Sequence, residues 1–327
     1  MPTIQRTASV SYKGIEATEI FFEPIFKDLL ELGNFRVMPN VVNKKKMQFI
    51  GQMEKIVQKK TGCGFHPSGK LGIYDRTIEV DEVTIMIEEC FDEFKDTILQ
   101  EKLKKGNLKM NLSGTEIMNI LLLKVQDAAM LDYMRLFWFG DKSSLDAAYN
   151  VTDGLWSVYI PDLVANNLIP YTNLNSGAAL TPGDGIAALE AVYESAPLAL
   201  KGLGKSEKRF FVSGDIYEQY IRDLENGGGG DAGLQMLMNG VETVTYRGIV
   251  VVPNYNWDQY TANDLNQPLQ HQVLYTTPNN LVFATDLFSD LSSILVFYDE
   301  LEEKTYVKVN GKMGTNYVHP SLMSTGY

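Results

Sequence analysis

The order of elements between Asp184 and the C-terminus constrains this chain more than any single motif in it. Residues 185–196 set Ile186, Leu189, Val192 and Tyr193 three and four apart, on one face of a helix. Asp184 is placed to cap that helix and Pro197 to end it. Residues 209–212 follow as a short strand, apolar on both sides as a buried strand is. Residues 213–225 form a second amphipathic helix, with Ile216, Tyr217, Tyr220, Ile221 and Leu224 in one stripe. Ser213 is its expected N-cap, and Asp215 suits the positive end of its dipole. After a glycine tract, Gly227 to Gly230, the chain turns to β at 241–252, 280–285, 294–299 and 305–309, and closes on Gly314 to Pro320. The pattern is α+β, rich in architecture and poor in chemistry.

The N-terminal half reads independently. Ser113 and Glu116 make a capping box. From 115 to 139 there is neither proline nor glycine, and Gly140 ends the run. Ile117, Ile120, Leu121, Lys124, Ala128, Leu131 and Arg135 mark one side of it. A helix of about 25 residues is roughly 40 Å long, well beyond the usual globular length. On these residues alone it could equally be the core helix of an α/β enzyme. Upstream, 47–50 and then 77–80 with 83–87 are strand candidates. Gly62, Gly64, Pro67, Gly69 and Gly72 lie between them as a flexible tip. Residues 24–32 make a short helix candidate that Gly33 would end.

Charge is unevenly spread. The chain of 327 residues carries a net −12. Yet 44–76 holds eight basic residues (Lys44, Lys45, Lys46, Lys55, Lys59, Lys60, Lys70 and Arg76) against Glu54 and Asp75, a net +6. Residues 143–200 and 248–303 contain no Lys or Arg, but six and eight acids respectively. A projecting basic segment on an acidic body is suited to lie on the acidic surface of a neighbouring copy. A 45% hydrophobic content suffices for one large or two intimate domains. No uncharged apolar run is long enough to span a membrane, and the first residues lack an apolar signal core. Cys63 and Cys90 are too few for a disulfide framework and read as free thiols.

No catalytic, cofactor-binding or metal-binding residues are expected. There is no Gly-x-Ser-x-Gly elbow and no His-Glu-x-x-His. Gly204-Lys-Ser206 precedes a strand instead of following one, and Ala199 stands where a phosphate loop needs its first glycine. Gly183 to Gly185 reads as a tight turn, and the glycine tract at 227–230 lacks a following lysine. His66, His271 and His319 are too scattered to suggest a metal site. Tyr255, Trp257 and Tyr260, in a loop at 253–272, are of the types that dominate recognition surfaces and suggest a binding site; in a shell-forming chain a subunit contact is the simpler expectation.

These segments resemble a family. Residues 184–225 are similar to the helix–strand–helix of the axial domain in tailed-phage major capsid proteins, the Hong Kong 97-type fold. Tyr246-Arg-Gly-Ile-Val-Val-Val252 resembles that family's y-x-G-x-x-V-V strand. Asn279-Asn-Leu-Val-Phe-Ala-Thr-Asp286 resembles its n-n-l-x-x-g-t-D segment, with Ala284 where glycine is commoner. Residues 306–320 resemble its closing strands. The likeness lies in the order of these pieces across about the last 140 residues.

The resemblance implies an N-terminal arm (1–43), an extended β-hairpin loop (44–87) and a peripheral domain with a long spine helix (88–159). It further implies an axial domain (160–290) and strands returning to the peripheral domain (291–327). The implied function is structural: hexamers and pentamers, assembled in the host bacterial cytoplasm, form an icosahedral virion head around double-stranded DNA. The implied partners are other copies, reached through the 44–76 loop, with a separate scaffolding protein, a portal and possible decoration proteins. Packaged DNA would be held without sequence specificity, and an acidic body would let it slide in without sticking. No cofactor and no membrane are implied. Encapsulin-type bacterial nanocompartment shells share the fold and enclose cargo proteins. That reading and an unrecognised cytoplasmic α/β enzyme are the alternatives. Some relatives join loop lysines to a neighbour's asparagine. Lys59, Lys60 and Lys70 lie in the right region, and no motif identifies the asparagine.

Overall fold

The computed structural model describes residues 10–13, 34–50, 57, 59, 73–90, 116–174, 178–226, 244–261, 270–286, 293–299, 301–302 and 304–327. The helix expected at 24–32, the glycine-rich tip with Cys63, the Ser113 cap and the 227–230 tract lie outside the described residues. The order is β1 (Val10–Lys13), β2 (Arg36–Met38), β3 (Lys44–Ile50), β4 (Ile73–Glu79), β5 (Asp81–Cys90), α1 (Glu116–Phe139), α2 (Ile160–Ala165) and β6 (Tyr171–Thr172). It continues through α3 (Asp184–Ser195), α4 (Leu198–Lys201), β7 (Arg209–Ser213), α5 (Gly214–Glu225), β8 (Thr245–Tyr246), β9 (Ile249–Asn254) and α6 (Tyr255–Gln259). It closes with β10 (Val273–Thr276), β11 (Leu281–Thr285), β12 (Ser293–Asp299), β13 (Lys304–Tyr317) and β14 (Met323–Gly326).

Three sheets result. The first runs β1-β12-β13-β11-β2, with β5 also paired to β13. Its backbone is β13, whose first half lies between β12 and β5 and whose second half carries β11. The second sheet runs β6-β14-β10-β7-β9-β8. The third is the antiparallel hairpin β3–β4. The β stretch expected at 241–252 is not one strand. Arg247 (φ 51°) and Gly248 (φ 79°) both take left-handed conformations and fold it into the β8–β9 hairpin. Strand β13 exceeds the expected 305–309, because pairing continues on one side or the other as far as Tyr317. Residues 291–327, expected to return together, are shared between sheets. The last strand, β14, lies between β10 and β6 in the second sheet.

Alternation along the second sheet explains why β7 is apolar on both sides. Phe211, Leu274 and Met323 join the core around α1, whereas Phe210, Val212, Val273 and Tyr275 join the core under α3 and α5. On α1 the expected periodicity holds but the marked side is the outer one. Lys124 and Ala128 are exposed, and Leu131 is 53% exposed. The buried side is Val125, Ala129, Tyr133, Leu136 and Phe137, which packs with Phe283, Met313 and Tyr317 of the first sheet. At 24 residues α1 is roughly 36 Å long. Both stripes contain apolar residues at helical spacing, and the position of the sheet selects between them.

The β3–β4 hairpin is rooted where β4 crosses β13. A Cβ on Gly314 would lie 2.1 Å from the Glu79 carbonyl oxygen, so the crossing requires glycine. Asn316 donates from Nδ2 to the Thr77 carbonyl (3.0 Å), and the Arg76 guanidinium sits 3.7 Å over the Tyr317 ring. Met47, Ile78 and Val80 close a small core with Met38, Val41, Val282 and Ala284. The segment expected as one extended loop thus divides: β3 and β4 form the hairpin, while β5 turns at Val80 into the first sheet.

Candidate assembly surfaces and a buried polar site

The hairpin carries the basic charge read from the sequence. Lys44, Lys45 and Lys46 are exposed on β3. Lys44 faces Glu79 across the hairpin, and its hydrogen bond holds the Glu79 carboxyl below its ordinary range. Arg76 is committed to Tyr317. Lys59 is exposed, while Lys55, Lys60 and Lys70 lie outside the described residues. Lys45 and Lys46 form no ion pair with described residues, so they carry the outward charge of the hairpin root.

A polar cluster at the start of α5 went unseen in the sequence. His271 is buried at positive φ (62°), a conformation that costs a non-glycine residue about 1–2 kcal/mol. Its Nδ1 meets the Asp215 carboxylate at 2.5 Å and its Nε2 meets the Ala178 carbonyl at 2.7 Å. Both partners are acceptors, so both ring nitrogens donate and the ring is held as an imidazolium. The Asp215 hydrogen bond raises the His271 pKa against the opposing effect of burial. Burial pushes the Asp215 carboxyl up, but the His271 and Ser213 hydrogen bonds outweigh it and hold it below its ordinary range. Asp258 accepts from the Asp215 amide at 3.1 Å; burial, then repulsion from Asp215, pushes it up to about 6. A cavity of about 640 Å³ opens beside these groups, lined also by Glu218, Arg222 and Tyr255.

The cluster is not a nucleophile site. The Ser213 hydroxyl donates to Asp215 rather than to the imidazole, and the second imidazole nitrogen is blocked by Ala178. No free base faces the serine. The geometry instead ties the 178–183 segment, β10 and α5 together. Ser213 stands at the N-cap as expected, but its side chain makes no cap bond; the Asp258 carboxylate takes the α5 amide from 43 residues away.

The same device holds α3. Asp184 does not cap its helix, because its carboxylate turns back to the Thr181 amide and hydroxyl. The buried Asp223 of α5 accepts from the amides of Gly183 (2.7 Å), Gly185 (2.9 Å) and Ile186 (3.2 Å), and from Gln219 Nε2 (2.8 Å). The helices cross so closely that a Cβ on Gly185 would lie 2.4 Å from the Tyr220 amide nitrogen. The only sequence signal for Asp223 is an acid on the apolar stripe of an amphipathic helix.

Trp257, expected at a subunit contact, is core. It is 1% exposed, with its ring 4.7 Å from Trp138 and 5.4 Å from Trp156. Asn254 ends β9, and α6 folds Trp257 inward while leaving Tyr255 exposed. Among the described residues no group of three or more His, Cys, Asp or Glu side chains is disposed to hold a metal ion. His319 is a local cap instead, its Nδ1 accepting from the Ser321 amide at 3.2 Å. No helix among the described residues is long and apolar enough to cross a membrane.

The combination of a long helix on one sheet, a second sheet flanked by α3 and α5, and a projecting hairpin has counterparts among solved structures. A chain of the satellite phage P4 procapsid, in a structure including the size determination (Sid) protein, matches with a TM-score of 0.57 at 9% identity. That match covers 93% of this chain and 98% of that one. The chain has the fold seen in phage capsids. The capsid of Myoviridae phage XM1 matches with a TM-score of 0.57 at 12% identity over 91% of each chain. The capsid of an empty GTA particle matches with a TM-score of 0.55 at 13% identity, over 90% of this chain and 88% of that one. No protein-family model matches the sequence, and no curated protein does.

Proposed function

We propose that the chain is a major capsid protein of a tailed double-stranded DNA phage: a subunit of the Hong Kong 97 type, without enzymatic activity, that builds the icosahedral head. The carrying observation is the likeness to phage capsid chains along nearly the whole length of both partners, the first match covering 93% and 98%. In this reading α1 is the spine helix, β3–β4 the extended loop, and the second sheet with α3 and α5 the axial domain at the centre of a pentamer or hexamer. Residues 1–43 are the N-terminal arm, and 88–159 belong to the peripheral domain with the first sheet. Copies of the chain are its main partners. A separate scaffolding protein, a portal and packaged DNA complete the particle, which places the mature subunit in the virion.

Electron microscopy with sedimentation of the full chain, expressed alone and with its neighbouring genes, tests this. Closed icosahedral particles or capsomer rings are expected. A monomer or small oligomer under every condition, including with a co-expressed scaffold, would overturn it. Native particles filled with protein rather than nucleic acid would move the assignment to a nanocompartment shell.

A further inference from the structure

The basic residues around the second sheet are gathered at one corner. Residues 160–290 contain fifteen acids and only six bases, and five of the six are Lys201, Lys205, Lys208, Arg209 and Arg247. The first four lie between the end of α4 and the start of β7, and Arg247 lies at the β8–β9 turn. Contacts join the two places. A Cβ on Gly248 would lie 3.3 Å from Lys205 Nζ. Lys201 Nζ and the Arg247 guanidinium stand 5.6 and 4.9 Å from the centroid of the same Tyr193 ring, and Arg247 is 5.5 Å from the Tyr246 ring.

This charge is not cancelled locally. Lys201, Lys208 and Arg209 donate to neutral backbone carbonyls, those of Glu194, Lys201 and Ser206. Lys205 is exposed and forms no ion pair among the described residues. Arg247 pairs with Glu190 at 2.9 Å, but both side chains are nearly half exposed and solvent weakens the pair. Burial, and then the charge of Lys205, hold the Lys208 ammonium below its ordinary range. The Glu207 carboxylate is turned to the Gly204 amide at 3.1 Å. Gly204-Lys-Ser206 therefore offers a lysine side chain and not the backbone cradle of a nucleotide loop. Folding has brought like charges together on an otherwise acidic body, an arrangement that an anion from outside offsets.

The geometry points to a phosphate-binding site at this corner, formed by Lys201, Lys205 and Arg247 around Tyr193, that takes the backbone of duplex DNA. A single carboxylate of a protein partner meets one of these cations, whereas a string of phosphates meets all three. Arg247, laid against two aromatic rings, is held in place for a bidentate contact with phosphate. The site follows from the corner itself; its assignment to packaged DNA rests on the shell reading. It also refines that reading, because a body that repels the duplex everywhere but at one small corner holds it at weak, regular points and lets it slide between them.

Fluorescence anisotropy of a labelled duplex, titrated with the full-length protein across a salt series, tests this. Three phosphate contacts predict that log affinity falls against log salt with a slope of about −2.7. Lys205→Gln is expected to lower that slope by about 1 and to weaken binding about fivefold at low salt. Arg247→Lys keeps the charge but loses the planar fork, and should weaken binding with the slope unchanged. Lys45→Glu with Lys46→Glu, at the other basic region, should leave the slope as in wild type. Thermal melting establishes that each variant is folded, and the exposure of Lys205 leaves no structural reason for failure there. A wild type that does not bind the duplex, a Lys205→Gln protein with the wild-type slope, or a hairpin variant that loses as much as Lys205→Gln would each overturn the site. Inorganic pyrophosphate that displaces the duplex at equal phosphate concentration would keep the phosphate site and overturn its assignment to DNA. The shell reading is judged separately, by whether the wild type forms closed particles; their absence beside the expected slopes would overturn that reading and leave the site standing.

Discussion

The second sheet and the β3–β4 hairpin are opposite solutions to the same problem of holding strands in place. Around the second sheet, side chains tie distant elements together: Asp223 holds α3 from α5, Asp258 holds α5 from α6, and His271, just before β10, joins α5 to the 178–183 segment. The hairpin has little of this. Its strands depend on each other, on a small core around Met47 and Ile78, and on Arg76 over Tyr317. One region is cross-tied by side chains within the chain; the other has a basic edge strand with charge left over. In the proposed shell subunit, that difference separates residues that keep the chain folded from residues available for assembly.

The largest effect is expected at Trp257. Truncation to alanine removes the ring that sits between Trp138, Trp156 and Phe139, where the core of α1 meets the second sheet. Urea denaturation should show a loss of about 3–5 kcal/mol. A substitution that left stability intact and impaired only assembly would return the 253–260 segment to the surface role its composition suggests.

Asp223→Ala should follow at about 2–4 kcal/mol, since it orphans the amides of Gly183, Gly185 and Ile186 together with the Gln219 side chain. Asp184→Ala, which disturbs only the exposed bonds to Thr181, should cost well under half as much. Equal costs would mean that α3 is capped locally after all.

What was legible in the sequence follows from the range of the interaction. The α3 and α5 stripes, β7 and the end of α1 at Gly140 are set by neighbours within a turn or two, and the structure has them where periodicity puts them. The outward side of α1 was misread because both of its stripes contain apolar residues and only a sheet contributed by distant strands decides between them. Caps were misread for a similar reason. Asp184 and Ser213 have the right chemistry at the right place, but carboxylates 38 and 43 residues away from the amides, Asp223 and Asp258, accept them instead. Nothing local could tie His271 to Asp215, 56 residues earlier. The hairpin's charge was legible because charge needs no partner to be counted.

The His271 cluster makes the stability of the second sheet depend on pH. A histidine with raised pKa contributes stability fully present below its unfolded value and lost as pH rises through the folded one. Asp258, raised to about 6, acts in the same direction, because its ionisation is resisted by burial and by Asp215. Asp215, held low, opposes only acid. Stability should therefore decline between about pH 4 and 6 as Asp258 ionises, and again as pH rises past the ordinary histidine value of 6.5 through the raised His271 pKa. His271→Gln should cost about 1–3 kcal/mol at pH 6 and less at higher pH. Asp258→Asn, which keeps an acceptor for the Asp215 amide, should flatten the slope between about pH 4 and 6 and leave the decline above it to His271. Identical pH profiles in all three proteins would remove the cluster from any part in stability.

The smallest effect on folding belongs to the hairpin. Lys45 and Lys46 are exposed and unpaired among the described residues, so Lys45→Ala with Lys46→Ala should leave the unfolding free energy within about 0.5 kcal/mol of wild type. The same pair should weaken assembly, and most at low salt, where the Debye length is about 30 Å at 0.01 M and the attraction of a basic edge to an acidic neighbour is least screened. Sedimentation across a salt series reads this directly. A wild type whose assembly is insensitive to salt, matched by the double variant, would mean the hairpin's charge is a solvated surface. The comparison would then rest on the open edge of β3 alone. A loss of stability of the same size as at Asp223 would mean instead that the hairpin holds its own subunit together, and the contrast between the two regions would disappear.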